Sequence, residues 1–297
     1  MTLLEVKYAV KYQNKKKKFV FACLILLTAM AMWVVWGNTS VQRSCVTVRS
    51  NELPEAFAGF TIAHISDLHN AEFGKNNEKL LRILREESSD IIAFTGDLVD
   101  SNHTDIDCAL LFVRQAVEIA PCYYVTGNHE AWLGTQYEVL HAELIKMGVV
   151  VLQNESVKLE YNGASIQLIG VNDPAFSREG DYLAETILET ALSQIQIEVR
   201  EDYTILLAHR PEHFRVYRDK NIDLVLSGHA HGGQFRLPFI GGVIAPNQGF
   251  FPEYDAGTYT EQNTTMIVSR GLGNSIIPVR INNRPEIVII ELDRLQT

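Results

Sequence analysis

The hydrophobic pattern of the chain begins with one long apolar run. Phe19 to Trp36 are 18 consecutive residues without a charge, and Lys11 and Lys15 to Lys18 precede them. A helix of that length spans roughly 27 Å, close to the hydrocarbon core of about 30 Å in a bilayer. The pattern predicts a cytoplasmic basic tail over residues 1–18 and a transmembrane anchor over residues 19–36. A cleaved signal peptide is the alternative, but its apolar region is normally about 7–15 residues long and ends in a small-x-small site.

Charge predicts the orientation of this anchor. Residues 1–36 contain six lysines and one glutamate, a net charge of +5, whereas the whole chain carries −10 and the remainder therefore −15. The positive-inside rule places the amino terminus in the cytoplasm and the main domain outside it. An acidic domain also argues against a nucleic-acid partner, because nucleic-acid clamps use Lys and Arg to neutralise phosphates.

Beyond the anchor, short apolar runs typical of buried strands alternate with amphipathic segments typical of helices. Residues 37–56 are polar and predict a tether with a short strand at Val46–Val48, and residues 57–297 predict one folded domain. In the first half of this domain the predicted strands alternate with predicted helices. The strands cover residues 60–65, 90–94 and 122–125, and the helices cover residues 76–87, 105–119 and 135–147.

The second half of the domain has a different pattern. Asn162–Gly163, a strong two-residue turn signal, separates strands predicted over residues 156–161 and 164–171. A long helix is predicted over residues 182–199, and further strands follow, among them residues 203–208 and 222–226. Strand–helix alternation followed by hairpins predicts an α/β fold in which two mixed sheets pack together.

Polar residues of a few types follow five of these predicted strands directly. They are Asp67 and His69, Asp97, Asn128 and His129, His209, and His229 and His231. Each residue alone has a structural explanation: an Asp caps a helix, an Asn forms a turn, and a buried His makes one hydrogen bond. Because open α/β sheets bind ligands at the carboxyl ends of their strands, the repetition at five strand ends favours a binding site.

The residue types in this set suit two neighbouring metal ions. Imidazole nitrogens bind Zn, Fe or Mn, and carboxylates supply negative charge and can bridge two ions. Two ions about 3.5–4 Å apart hold the attacking and leaving oxygens of an in-line displacement at phosphorus. The set therefore predicts two divalent metal ions (Mn, Fe or Zn), with an Asp shared between them.

The motifs that carry these residues resemble those of a known family. Asp67-x-His69, Gly96-Asp97-x-x-Asp100, Gly127-Asn-His-Glu130, His209 and Gly228-His-x-His231 occur in the order found in the calcineurin-like metallophosphoesterases. Residues 227–234, 268–273 and 278–287 are similar to the YkuE/YaeI-type membrane-associated bacterial phosphodiesterases. The resemblance implies a four-layer α-β-β-α sandwich of two mixed sheets, which is the calcineurin-like phosphoesterase fold.

The resemblance also implies a role for each matching residue. Asp67, His69 and His231 would hold one metal, Asn128, His209 and His229 the second, and Asp97 would bridge them. His129 would donate a proton or hydrogen bond to the phosphate, and a metal-bridging hydroxide would be the nucleophile. Asp100 and Glu130 would orient these residues from outside the ligand set.

Other residues are weaker candidates for contact with substrate. Arg270 follows a predicted strand and could equally meet a phosphate or form an ion pair, and His103 lies in a polar loop. The aromatic residues after the last motif fit either ordinary packing or an apolar lip for a lipid-like substrate. They are Phe235, Phe239, Phe250, Phe251 and Tyr254.

The combined pattern predicts a membrane-anchored, dimetal-dependent phosphoester hydrolase whose catalytic domain lies outside the cytoplasmic membrane. Through the resemblance, a phosphodiesterase acting on a cell-envelope or lipid-linked substrate is favoured. The enzymatic alternatives are a phosphomonoesterase or nucleotidase, and a hydrolase similar to UDP-2,3-diacylglucosamine pyrophosphatase. A non-catalytic metal-binding envelope protein is the alternative from another class, and the presence of His129 beside Asn128 argues against it.

Overall fold

The computed structural model describes residues 3–180, 182–195, 203–274 and 276–295, with side chains described from residue 14 onward. Seven α-helices lie in these ranges: α1 (Leu3–Thr39), α2 (Glu78–Glu87), α3 (Ile106–Ala116), α4 (Asn128–Trp132), α5 (Gln136–Lys146), α6 (Ala184–Gln194) and α7 (Phe214–Asp219). The helix predicted over residues 182–199 is α6, and residues 196–199 of that prediction lie outside the described residues.

Sixteen strands are described, eleven of at least four residues and five of two residues. The first nine are β1 (Gln42–Ser50), β2 (Thr61–Ile65), β3 (Ile91–Thr95), β4 (Cys122–Val125), β5 (Val150–Val151), β6 (Glu155–Tyr161), β7 (Ala164–Gly170), β8 (Thr204–Leu207) and β9 (Leu224–Ser227). The others are β10 (Arg236–Leu237), β11 (Gly241–Gly242), β12 (Ile244–Ala245), β13 (Gly249–Phe250), β14 (Gly257–Glu261), β15 (Thr264–Val268) and β16 (Glu286–Arg294).

The strands form two six-stranded mixed sheets and two small ribbons. The first sheet has the order β1-β16-β2-β3-β4-β5, in which only the β16–β2 pair is antiparallel. The second has the order β14-β15-β9-β8-β7-β6, in which the two outer pairs are antiparallel. Asn162 and Gly163 join β6 to β7, and both have the positive φ that a two-residue hairpin turn needs.

Three apolar clusters divide the domain into four layers. The cluster between the sheets joins residues such as Ile62 and Ile290 of the first sheet to Leu207 and Leu226 of the second. A second cluster packs α2, α3 and α5 on the outer face of the first sheet. A third packs α6 and α7 on the outer face of the second. The parallel central strands are buried on both faces, which explains their continuous apolar runs. The predicted α-β-β-α sandwich of two mixed sheets is confirmed.

The amino-terminal part differs from its prediction in one respect. Residues 42–50 of the predicted tether form the nine-residue strand β1, which pairs in parallel with β16 along its whole length. The short strand expected at Val46–Val48 is thus longer and belongs to the first sheet. Its partner lies more than 240 residues away, so no local pattern in the chain reveals the pairing. Only Ser40 and Val41 separate β1 from α1.

Helix α1 contains a segment long and apolar enough to cross a membrane. Residues Asn14–Thr39 form this 26-residue segment, whose most apolar part has a mean hydropathy of 2.4 and is not buried in the protein. The predicted single amino-terminal apolar helix is therefore present. It extends beyond the expected residues 19–36 at both ends, because the basic residues before it are also helical.

Candidate metal centre

The carboxyl ends of five strands meet at one place between the two sheets. β2, β3 and β4 of the first sheet and β8 and β9 of the second end there, as their sequence pattern predicts. All eight residues singled out at these ends are buried, none with more than 6% of its surface exposed. They are Asp67, His69, Asp97, Asn128, His129, His209, His229 and His231.

The local backbone at these strand ends is unusual. Asp67, His69, Asp97, His229 and His231 all have φ between 46° and 63°, the left-handed region that side chains other than glycine rarely adopt. Such residues cost of order 1–3 kcal/mol each and persist where the surrounding structure holds them at a functional site. The positive φ turns each side chain inward directly after its strand.

The glycines of the motifs allow the close approach of these turns. A Cβ atom on Gly228 would lie 1.8 Å from Ser66 Oγ and 2.4 Å from Asp67 Oδ2. A Cβ on Gly127 would lie 2.2 Å from Asp97 Oδ1. Neither position accepts a side chain without displacing a carboxylate of the cluster, so the spacing of the cluster depends on these glycines.

One group of potential ligands surrounds Asp67. His231 Nε2 lies 3.5 Å from Asp67 Oδ1, and His69 Nε2 lies 4.0 Å from the same oxygen. His69 Nε2 also lies 3.4 Å from Asp97 Oδ2. Neither ring nitrogen of His69 hydrogen-bonds to any described residue, although the ring is buried. A buried imidazole without hydrogen bonds is costly, and a metal ion on its lone pair would remove that cost.

A second group converges on His209. Its Nδ1 donates to the Thr95 carbonyl at 2.6 Å, which in the neutral ring leaves Nε2 as a lone pair. Within 3.2 Å of that Nε2 lie Asp97 Oδ2, Asn128 Oδ1 and His229 Nδ1. Four acceptor atoms around one point repel each other unless a proton or a cation lies between them. The donor set of imidazoles, a carboxylate and an amide oxygen fits a divalent transition metal.

Asp97 is the residue common to the two groups. Its Oδ2 faces His69 on one side and His209 on the other, and its Oδ1 accepts the His129 amide proton at 2.9 Å. Burial alone would raise the pKa of Asp97, but the neighbouring imidazoles of His209 and His69 hold that pKa well below its usual range. The carboxylate is therefore ionised and lies where a ligand shared by two cations would lie.

His129 lies beside the two groups in a different environment. The Ser101 amide donates to its Nδ1 at 3.0 Å, which puts the ring proton of a neutral imidazole on Nε2. The Asp100 carboxylate lies 3.6 Å from Nδ1. A ring nitrogen of His129 also lies within 4.8 Å of His69 and Asp97. The geometry thus allows either a ligand or a proton donor at this position.

Glu130 supports the loops that carry these residues. Its carboxylate accepts hydrogen bonds from four backbone amides, those of Asp97, Leu98, Val99 and Gly127, at 2.7–3.3 Å. Burial and the nearby Asp97 charge raise the pKa of Glu130 to about 7, against the opposing effect of these amides. Glu130 therefore ties the ends of β3 and β4 to each other.

The two weaker candidates lie outside the buried cluster. The His103 side chain is 88% exposed and lies 3.9 Å from Asp100, at the rim of the site. Arg270 precedes Gly271, and a Cβ atom added to Gly271 would lie 2.7 Å from Asp67 Cβ. The backbone after Arg270 therefore borders the cluster. The Arg270 side chain lines a separate cavity beside α1 instead.

The sequence analysis missed three side chains that contact the cluster. Asn247 Oδ1 lies 3.2 Å from His229 Nε2, and Glu212 Oε1 lies 3.8 Å from the same nitrogen. Arg280 is buried, and its Nη2 lies 3.3 Å from His231 Nδ1. Arg280 lies in the Pro-Val-Arg motif of the resemblance, which was the available signal. Asn247 lies in a long loop whose pattern indicates no contact.

Comparison with known proteins agrees with the geometry. The chain is 30% identical over 253 residues to the uncharacterized metallophosphoesterase YkuE of Bacillus subtilis (strain 168), covering 83% of each protein. It is 30% identical over 244 residues to the phosphodiesterase YaeI of Escherichia coli (strain K12), covering 79% of this chain and 83% of that one. It is also 30% identical to a transmembrane protein with metallophosphoesterase domain of Danio rerio, covering 83% of this chain and 56% of that protein.

Among solved structures, the phosphopantetheinyl hydrolase PptH of Mycobacterium tuberculosis superposes with a TM-score of 0.47 at 14% identity, over 73% of this chain and 91% of that one. The family model described as calcineurin-like phosphoesterase matches residues 60–233, which contain all five strand ends of the cluster. The chain therefore belongs to the calcineurin-like phosphoesterase family.

Proposed function

We propose that this protein is a dimetal-dependent phosphodiesterase that acts on a cell-envelope or lipid-linked substrate. The observation that carries the proposal is the position of Asp97 Oδ2, which lies 3.4 Å from His69 Nε2 in one buried group and 3.2 Å from His209 Nε2 in the other. Members of the family use dinuclear metal centres, and the phosphodiesterase YaeI is a relative at 30% identity. Asp67, His69 and His231 would hold one ion, Asn128, His209 and His229 the other, and Asp97 both.

Two divalent ions held by these residues would supply positive charge that polarises the phosphoryl group and would lower the pKa of a water. The residues of the chain provide the rest. The strand-end turns orient the ligands, and the Glu130 carboxylate fixes the loops that carry Asp97 and Asn128. His129 Nε2 carries a proton in the neutral ring and would donate it to a phosphate oxygen or the leaving group. The Ser101 amide, which donates to Nδ1, would hold the ring in that tautomer, and the Asp100 carboxylate 3.6 Å from Nδ1 would stabilise the doubly protonated ring.

We also propose that α1 spans the cytoplasmic membrane and that the catalytic domain lies on its outer side. Its 26-residue apolar segment has the required length, and the lysines before it favour a cytoplasmic amino terminus. Protease treatment of intact and lysed spheroplasts tests the orientation. Protection of the catalytic domain in intact spheroplasts would place it inside.

The activity is tested with the full chain in detergent, loaded with Mn²⁺, on an aryl phosphodiester and the matching aryl phosphomonoester. Diester turnover that exceeds monoester turnover, and that is lost in Asp97→Asn, supports the proposal. The exposed Asp219→Asn is the matched control, expected to keep wild-type turnover. Preferential monoester turnover would assign the protein to the phosphatases. Metal binding without turnover of either substrate would contradict the assignment of a general phosphodiesterase.

A further inference from the structure

A cavity lies between the carboxyl-terminal end of α1 and the catalytic domain. Its volume is about 230 Å³, enough for a phosphate group with its ester substituents. Trp33 and Trp36 of α1 line one side, and Arg270, Arg280 and Arg284 line the other. In a helix that spans a membrane, two tryptophans at this end lie at the level of the lipid headgroups. The cavity thus faces the headgroup layer.

Two of the three arginines in this cavity have N–H donors that form no hydrogen bond with the part of the chain that the structure describes. The Arg270 side chain is 27% exposed and hydrogen-bonds to no described residue, and its Nε lies 4.0 Å from Glu286 Oε1. Arg284 stacks 4.7 Å from the Trp36 ring and donates through Nε and Nη2 to Ser40 and Val41, which leaves Nη1.

Arg280, by contrast, is buried and hydrogen-bonds to Asn274 and to two backbone carbonyls. Glu286 is the carboxylate that lies closest to the Arg270 guanidinium, and it also accepts the Arg270 amide and the Gln42 side chain. The Asp255 carboxylate also interacts with Arg270, but it is paired with Arg236. A net positive cavity with unused guanidinium donors suits a phosphate.

Exposed apolar side chains surround the same junction. We call this set the apolar rim, and it comprises Leu237, Phe239, Ile240, Phe250, Phe251, Ile276 and Ile281, each at least 40% exposed. Phe239 is fully exposed, and Phe250 is 73% exposed. A soluble protein rarely exposes so many large apolar side chains in one place without covering them.

Hydrogen bonds connect the rim to α1. The Asn38 side chain at the end of α1 donates to the Arg280 carbonyl and accepts from the Arg280 amide, at 2.9 and 2.8 Å. The next residue, Ile281, accepts the Arg236 amide of ribbon β10–β11 at 3.0 Å. The Phe251 amide, next to β13, donates to the Val243 carbonyl between the two ribbons. Hydrogen bonds therefore join the end of α1, the residues around the cavity and both ribbons.

We propose that the cavity binds the phosphate of an anionic phospholipid in the leaflet around α1, and that the apolar rim inserts into the same leaflet. This proposal rests on the membrane-spanning role proposed above for α1. Because Arg280 lies between the cavity and His231, docking in this way holds the metal centre close to the headgroup layer.

The test is binding of phosphatidylglycerol to the full chain in detergent, measured by native mass spectrometry. We expect Arg270→Gln and Arg284→Gln to weaken binding of the first lipid about tenfold each, since a hydrogen bond to a charged group contributes about 1.5–3 kcal/mol. Arg215→Gln on α7, exposed and paired with Glu185, is the matched control and should not change binding. Wild-type binding in both cavity variants overturns the proposal, as does equal affinity for phosphatidylcholine or for deacylated glycerophosphoglycerol.

Insertion of the rim is tested in phosphatidylglycerol nanodiscs by hydrogen exchange of residues 236–251. Phe239→Ser and Phe250→Ser, which change exposed side chains and leave the fold intact, should speed exchange of this segment several-fold. Val139→Ser and Ile145→Ser on α5, whose side chains are 55% and 53% exposed, are the controls and should leave it unchanged. Unchanged exchange in both rim variants contradicts insertion. If the chain dissociates from the nanodisc entirely, the result contradicts instead the proposal that α1 spans the membrane.

Discussion

Replacing Glu130 by Gln exchanges one carboxylate oxygen for an NH₂ group of similar shape, and it tests how the loops of the metal site are held. In the carboxylate, Oε2 accepts from the amides of Asp97 and Gly127, and Oε1 accepts from those of Leu98 and Val99. A glutamine has one carbonyl oxygen and one NH₂ group. In either orientation two buried amides therefore face a donor.

Each buried N–H left without an acceptor costs about 1–3 kcal/mol, so Glu130→Gln should lower the free energy of unfolding by about 2–6 kcal/mol. We expect this loss to be about 4 kcal/mol at pH 8, where the Glu130 carboxyl group, with a pKa of about 7, is ionised. Because the displaced loops carry Asp97 and Asn128, the bound metal per chain should also fall.

The free energy of unfolding is measured by urea titration of the full chain in detergent with pulse proteolysis, and the metal content by elemental analysis. Glu143→Gln is the matched control: its carboxylate pairs with exposed Lys146, and such a surface pair contributes less than about 1 kcal/mol. If Glu130→Gln is destabilised no more than this control, the four hydrogen bonds do not hold the loops and the reasoning is refuted.

Three further predictions concern side chains around the centre. His129→Gln should keep full metal content but lower kcat by about 10²–10⁴-fold, since it removes a proton donor; loss of metal in the variant would make His129 a ligand. Asn247→Ala should weaken the binding of one of the two metal ions by about 10–100-fold in a chelator competition, because it removes the hydrogen-bond acceptor beside His229 Nε2. If both metal affinities are unchanged, this prediction is contradicted. Arg210→Met should lower the free energy of unfolding by about 3–5 kcal/mol in urea titration, because it removes the opposite charge and two hydrogen bonds from the buried Asp173 carboxylate, and a loss below about 1 kcal/mol would refute it.

The clustering of the candidate ligands could be predicted from the sequence because it depends on short-range features. Each ligand directly follows an apolar strand, and a glycine next to several of them signals close approach of the backbone, as Gly228 shows against Ser66. Parallel strands bring their carboxyl ends to one edge without further information. Local pattern and sheet geometry were enough to place Asp67 near Asp97, because β2 and β3 are parallel neighbours in one sheet. His209 follows β8 of the second sheet, and its position beside Asp97 was expected only from the family resemblance.

The features that could not be predicted depend on contacts between distant segments. The pairing of β1 with β16 joins Gln42 to Glu286, and nothing in the polar sequence of residues 37–50 indicates a partner. Asn247 reaches His229 only because the ribbons β10–β13 fold back over the site. The aromatic residues after the last motif fitted either ordinary packing or an exposed apolar lip, and the structure shows that different residues follow each interpretation. Tyr254 packs in the domain, whereas Phe239, Phe250 and Phe251 are exposed.

The two-residue junction between α1 and β1 has a consequence for the kinetics of the enzyme. β1 is a strand of the first sheet and follows α1 after two residues. If α1 spans the membrane, this short connection therefore prevents the catalytic domain from rotating freely or moving away from the membrane surface. The domain then meets only those substrate molecules that lie near the membrane surface beside α1, and it finds them by lateral diffusion in two dimensions. Turnover of a lipid-linked phosphodiester should accordingly follow the mole fraction of that lipid in the bilayer, and dilution with inert lipid should slow it at constant bulk concentration.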